Sequence, residues 1–294
     1  MAPSLDHILI LLPYETLTSL PSSLTDNFTI SPGGSHSDGL TENKLIIFRD
    51  GSYIELIAFT PFAHESGGRS THWWGNKKEG EFIDFALTTD SKTVDYQQNF
   101  EDVNSRLGQV SGIQYEKPRA GARIRPDGQK VEWFVTFPKV GGESGISQRG
   151  VLPFFCHDVT ERRLRVPLDE KNVTHPCGAL GVKKFNVFVG EKDADQLRER
   201  YGKVLGVGNS IEGNFEVPSL KCEGNLTSIS VHGVLPQMEA LAENLEERGG
   251  LIFGELALHG RVKERESSGK RLLHSMDPAN IGLGCITLHL SSVE

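Results

Sequence analysis

The chain has little that would let it act through a thiol nucleophile, a phosphate loop, a nucleic acid or a bilayer. Its four cysteines, Cys156, Cys177, Cys222 and Cys285, are scattered without a Cys-x-x-Cys pair. None has an electropositive helix start beside it, so buried free thiols in a reducing compartment are the expected state. Neither a glycine-rich phosphate loop nor a Gly-x-Ser-x-Gly elbow occurs, which removes the common nucleotide and serine-hydrolase chemistries. No apolar stretch approaches the ~18 residues needed to span a bilayer. The net charge is -8, and no Lys/Arg stripe interleaves with aromatics, which argues against nucleic acid. The opening Met-Ala-Pro-Ser-Leu-Asp-His lacks a charged n-region and a cleavage site, so a cytoplasmic location is expected.

What is present is a turn-rich β pattern. Hydrophobic residues make up 37%, with 32 Gly and 14 Pro, and 294 residues give room for one large or two medium domains. Two apolar runs stand out. Leu5-Asp6-His7-Ile8-Leu9-Ile10-Leu11-Leu12 is broken by one imidazole, and Tyr53-Ile54-Glu55-Leu56-Ile57-Ala58 by one carboxylate. Strand side chains alternate with period two, which places Leu5, His7, Leu9 and Leu11 on one face. Tyr53, Glu55 and Ile57 share a face in the same way, so His7 and Glu55 are expected in one concavity lined by Leu and Tyr53. An unpaired carboxylate there would cost several kcal/mol. The pair is therefore either a structural hydrogen bond or a metal or substrate site.

A helix-sized segment at 15–23 and strands at 28–31 and 43–49 fit between the two runs. A second unit has strands at 82–87, 114–117, 131–137 and 151–157 and a helix at 99–107, with Pro126-Asp127-Gly128 as a hairpin turn. Residues 157–178 show charge, proline and no period. A third unit holds strands at 182–189, 214–217, 226–231, 251–258 and 284–290. Its helices fall at 194–205, with Asp193 as N-cap, and at 236–248, stopped by Gly249 and Gly250. The stretch 260–280 reads as a loop.

Further candidates lie around these strands. His36 sits in a Gly-Gly-Ser-His-Ser-Asp-Gly loop and is either a ligand contact or a surface turn. Asn43 either orients a substrate or closes a turn. Trp73 and Trp74 suit a pocket rim or interdomain packing. Arg123 and Arg125 alternate around Ile124, so both face either the concavity, toward an acidic substrate, or the solvent.

Taken in order, these pieces resemble the vicinal oxygen chelate superfamily, and within it the glyoxalase-like domain proteins. The resemblance is carried by the Leu-Asp-His strand, Ser31-Pro32-Gly33-Gly34-Ser35-His36, Tyr53-Ile54-Glu55-Leu56-Ile57, Ile83-Asp84-Phe85-Ala86-Leu87, the segment from Gly121 to Gly128, and His175-Pro176-Cys177-Gly178. It implies an α+β fold of repeated βαβββ modules, whose curved sheets or half-barrels surround a cleft. Two modules would fill 1–160, a linker or lid 161–180, and one or more further modules 181–294. A third module would close its own barrel or pair with a second copy in a homodimer.

The superfamily includes lyases, isomerases, extradiol dioxygenases, epoxide-opening transferases and metal-free drug-binding proteins. The resemblance thus implies a divalent ion (Fe, Mn, Zn, Ni or Mg) or none at all. His7 and Glu55 carry over as ligands, and Asp84 is the oxygen donor the second module offers opposite His7; opposite Glu55 it offers Phe154. Asp84 is otherwise a strand cap or a buried ion-pair partner. The function expected is lyase, isomerase or related proton-transfer chemistry on a small oxygenated molecule, in secondary metabolism or detoxification. Without metal, Glu55 in an apolar cleft would have a raised pKa and serve as base, with His7 as acid. The alternatives are sequestration of an aromatic or polyketide-like compound, and a degenerate paralogue acting through protein contacts.

Overall fold

The computed structural model describes residues 2–90, 92–108, 113–140, 150–208, 210, 212–222, 224–261, 269–276 and 285–291. The first half is a closed barrel. Its strands are β1 (Ser4–Leu11), β2 (Ser31–His36), β3 (Thr41–Ile47), β4 (Tyr53–Phe59), β5 (Glu81–Thr88), β7 (Arg119–Ile124), β8 (Lys130–Thr136) and β10 (Phe154–Asp158). The short pair β6 (Ile113–Tyr115) and β9 (Pro138–Val140) forms a separate ribbon. Around the barrel the order is β1-β4-β3-β2-β7-β8-β10-β5, so each βαβββ module supplies four consecutive strands. The Pro126-Asp127-Gly128 turn joins β7 to β8, with Gly128 at φ 79°.

Parallel pairing of β1 with β4 sets His7 against Tyr53 and Leu9 against Glu55. Side chains of one parity point inward, where Leu9, Leu11, Ile57 and Phe59 pack with Ile83, Ala86, Val135, Phe137 and Phe154. Those of the other parity (Ile8, Ile10, Ile54, Leu56, Ala58) form the outer core. Leu5 departs from the expected alternation. A register shift against β5 between Leu5 and His7 sends Leu5 to the outer core and buries Asp6 completely.

The second half is an open six-stranded sheet. Its members are β11 (Ala179–Gly190), β12 (Asn214–Pro218), β13 (Leu226–Val234), β14 (Leu251–Arg261), β15 (Gly269–Ser275) and β16 (Cys285–Ser291), ordered β12-β13-β11-β14-β16-β15. It repeats the barrel's central pairings: β11–β13 parallel, β11–β14 antiparallel and β14–β16 parallel. Among the described residues it has no counterparts of β2 and β7, so it does not close. Its apolar face packs on the barrel's outer core, where Phe82 and Phe85 meet Phe185, Phe253 and Tyr201. Tyr201 is presented by the helix Glu191–Leu205, which is capped by Gly190 rather than Asp193.

Other expectations shift locally. The helix expected over 15–23 is two short turns, Tyr14–Thr18 and Ser22–Thr25, because Pro21 breaks the backbone between them. The stretch 260–280 contains β15; its portions 262–268 and 277–284 lie outside the described residues. Residues 161–180 hold short helices at Arg162–Arg165 and Glu170–Val173. Val166 and Val173 pack there against Leu45, Ile47 and Tyr53 on the barrel. No helix among the described residues is long and apolar enough to cross a membrane.

Candidate functional site

A cavity of about 180 Å³ opens inside the barrel, with His7 and Glu55 on its wall. His7 Nε2 stands 3.3 Å from Glu55 Oε2. On the other side of the ring, Nδ1 is 2.7 Å from Asp6 Oδ2. Tyr53 stacks on the imidazole with ring centroids 4.6 Å apart, and Phe154 meets it edge-on. A carboxylate at each nitrogen favours the imidazolium form of His7, which is 3% exposed. Burial pushes its pKa down, yet the hydrogen bonds and charges of Asp6 and Glu55 raise it above 6.5.

Glu55 is the hub. Burial would raise its pKa, but His7, then His36, then the 2.6 Å hydrogen bond from Asn43 Nδ2 hold it at about 2. This corrects the expected raised value: the carboxylate sits among donors, not in an apolar void. His36 Nε2 lies 3.9 Å from Glu55 Oε1, and His36 Nδ1 lies 2.6 Å from Thr41 Oγ1. Burial lowers the His36 pKa, and the nearby Arg123 adds to that, so this imidazole is neutral at pH 7.

Beneath the site lies an ion cluster that the sequence did not reveal. Arg165 donates to both oxygens of Asp6, to Tyr53 Oη at 2.7 Å and to both oxygens of Asp158. Arg162 reaches Asp6 at 2.6 Å and Asp158 at 3.0 Å. Burial would raise the Asp6 pKa, but these two guanidiniums keep it well below its usual 3.8. Asp6 therefore faces His7 as a fixed negative charge. Cys156 also lines the cavity, but burial pushes its thiol well above the usual range, so it is no nucleophile.

The remaining expected residues divide. His36, Asn43, Tyr53, Trp73, Trp74 and Arg123 all line the cavity with His7 and Glu55. Trp73 is 38% exposed and forms the rim, while Trp74 is buried. Arg125 does not join them: β7 ends at Ile124, and Arg125 turns outward to Leu164 O and Asp127. Asp84 is also elsewhere, accepting from Trp74 Nε1 at 3.0 Å and from the Phe85 backbone N–H. The cavity wall further includes Trp133, Phe137 and Phe154, which strand alternation alone does not mark as substrate contacts. Of these, only Phe154 is singled out beforehand, as the residue that the family resemblance sets at the position equivalent to Glu55 and that cannot bind metal.

The family model described as a glyoxalase-like domain matches residues 5–205. The chain belongs to this glyoxalase-like domain family. No curated protein matches the sequence. Among solved structures, a hypothetical protein from Staphylococcus aureus superposes with a TM-score of 0.62 at 14% identity, covering 99% of this chain and 100% of that one. It shares the fold of this glyoxalase-like protein over its whole length. A xylose isomerase-like TIM barrel/4-hydroxyphenylpyruvate dioxygenase fusion protein gives a TM-score of 0.48 at 11% identity, over 90% of this chain and 38% of that one. A mutant 4-hydroxymandelate synthase from Streptomyces coelicolor gives 0.47 at 12% identity, over 89% and 72%.

Members of the superfamily often bind divalent ions, and the donor set here can be tested against one. The second-module positions equivalent to His7 and Glu55 hold Asp84, committed to Trp74, and Phe154, an aromatic ring. Among the described residues no group of three or more His, Cys, Asp or Glu could hold a metal ion. The expected His7–Glu55–Asp84 triad is thus not assembled. The side chains present fit a hydrogen-bonded acid–base site instead.

Proposed function

We propose that this glyoxalase-like protein is an enzyme that moves protons on a small oxygenated organic molecule, giving isomerase or lyase chemistry. The observation that carries this reading is the convergence of two histidines on one carboxylate, His7 at 3.3 Å and His36 at 3.9 Å from Glu55, inside a cavity. Their environments push the two imidazole pKa values apart, the pattern that separates an acid from a base. His7 gives the Nε2 proton to a substrate carbonyl oxygen. His36, in the tautomer that donates from Nδ1 to Thr41, takes the proton from the adjacent carbon at Nε2. Glu55 holds both rings and stabilises each when charged. Where that carbon bears a hydroxyl, the enediol yields the hydroxyl proton to His7 as His36 delivers its proton to the former carbonyl carbon, which isomerises the molecule. Where a β-substituent is present, the enol returns its proton to His7 as the carbonyl re-forms, and the substituent leaves with the electron pair and the His36 proton, a lyase reaction.

Proton exchange can be measured without an identified substrate. A panel of enolisable ketones, aldehydes and 2-oxo acids is incubated with the protein in D2O, and loss of the α-proton signal is followed by NMR. Exchange by the unaltered protein is expected for at least one compound. It should fall by about 10²–10⁴-fold in Glu55→Gln and His36→Gln, whose circular dichroism stays unchanged. Because no group of three or more His, Cys, Asp or Glu among the described residues could hold a metal ion, treatment with a chelator should leave the rate as it was. Full exchange in Glu55→Gln removes this reading. Binding without exchange would assign the chain to sequestration.

A further inference from the structure

The buried charged groups around the cavity fall into matched sets with one remainder; Asp38 also lines the cavity, but it is exposed and accepts from the Leu40 backbone N–H. Asp6 and Asp158 face Arg162 and Arg165. Glu55 faces His7, and on the rim Arg119 pairs with Glu116 at 2.6 Å. Arg123 is left over. It lines the same cavity at 3% exposure and forms no ion pair among the described residues. Its Nη2 donates to the Arg165 carbonyl at 3.2 Å, while Nη1 is buried without a hydrogen-bond partner among the described residues. A guanidinium stays charged, and a buried one lacking an anion costs several kcal/mol. The buried wall of the cavity is thus one negative charge short, beside the His7–Glu55 pair.

The rest of the wall limits what can bring that charge. Trp73, Phe137 and Phe154 form a continuous aromatic surface, with successive ring centroids 5.1 Å apart. Trp133, on β8, also lines the cavity and meets His36 edge-on. A volume of about 180 Å³ exceeds the ~150 Å³ that encloses benzene. It holds one ring and a short substituent, but not a fused polycycle.

We propose that the cavity takes a single-ring aromatic carboxylate, with the carboxylate on Arg123 and the ring against the aromatic wall. This deepens, and rests on, the reading of this cavity as the proton-transfer site. An Arg–carboxylate contact is charge-assisted and can be bidentate, so the preference should be for an acid over its neutral isostere. The anchored carboxylate also fixes which carbon lies between His7 and His36.

All three tryptophans of the chain line the cavity, so intrinsic fluorescence reports its occupancy. The full-length protein is titrated with phenylacetate and with phenylacetamide, which matches it in size but carries no charge. Phenylacetate should bind at least about tenfold more tightly, as a hydrogen bond between charged partners implies. Arg123→Gln should reduce the difference to within about twofold, and Arg123→Lys should keep part of it. Equal affinities for acid and amide, or an acid preference intact in Arg123→Gln, would overturn the proposal. If that variant does not fold, the acid–amide comparison on the unaltered protein decides. Glu55→Gln should keep or strengthen the acid preference while losing exchange, which separates the two readings. An acid preference without exchange leaves the substrate class standing and removes the proton-transfer role. Exchange confined to neutral compounds overturns the substrate class alone.

Discussion

His7 and His36 are chemically identical groups that differ because of what each ring nitrogen meets. His7 has an acid on both sides, and His36 has a hydroxyl on one and a more distant carboxylate on the other. The difference depends on Asp6, which must be ionised to hold His7 charged. Asp6→Asn removes that charge and also leaves Arg162 and Arg165 short of a partner in a buried setting. Breaking such a set from one side typically costs about 3–5 kcal/mol, and a urea denaturation series should show a loss of that size. A loss below about 1 kcal/mol would mean that Asp6 is not the centre of the cluster.

Two local irregularities shape the strands that carry the site. The shift in β1 after Leu5 places Asp6 next to His7 and among the arginines, although period two alone puts it on the opposite face. A second shift in β2, between Pro32 and Gly34, lets Asn43 approach the backbone of Gly33. A Cβ built on Gly33 would overlap the side-chain and backbone oxygens of Asn43. Gly33→Ala should therefore push Asn43 off Glu55, lowering exchange in the D2O assay and the melting temperature together. An unchanged rate would show that Asn43 does not position the carboxylate.

These irregularities also explain what the sequence could tell. The inward pairing of His7 with Glu55 follows from alternation, and both module strand orders follow from turn residues and apolar runs. Asp6 was hidden because a one-residue bulge has no compositional mark. Arg165 was hidden because it meets Tyr53 across 112 residues from a segment without period. Asp84 shows that an equivalent strand position does not by itself bring a side chain to the cavity: it accepts from the Trp74 indole N–H.

At the scale of the molecule, the barrel and the open sheet share one outer core, with a group of aromatic rings where the two meet. The open sheet repeats the β1–β4 register at β11–β13, where Asn186 and His232 take the places of His7 and Glu55 and lie 3.0 Å apart. It thus has the pairing without the carboxylate. Its contribution is support: Phe185 stacks on Phe253 and meets Phe82 and Phe85 edge-on, fully buried. Phe185→Ala should cost about 3–5 kcal/mol and lower the melting temperature of the barrel with that of the sheet, in a single transition. Two separated transitions would mean that the halves are held independently.

The central claim is that one histidine is charged and the other neutral where both face Glu55. It is tested most directly by following the ring nitrogens of His7 and His36 by NMR as a function of pH. His7 should titrate above 6.5 and His36 below it; in Glu55→Gln the His7 value should fall. The sign of the stability effect follows: the His7 contribution is full below pH 6.5 and is lost as the pH rises through its raised value. The Glu55 contribution is full above pH 4.5 and is lost as the pH falls toward 2. Finding that both rings titrate together near 6.5, or in the opposite order, would contradict the acid–base assignment.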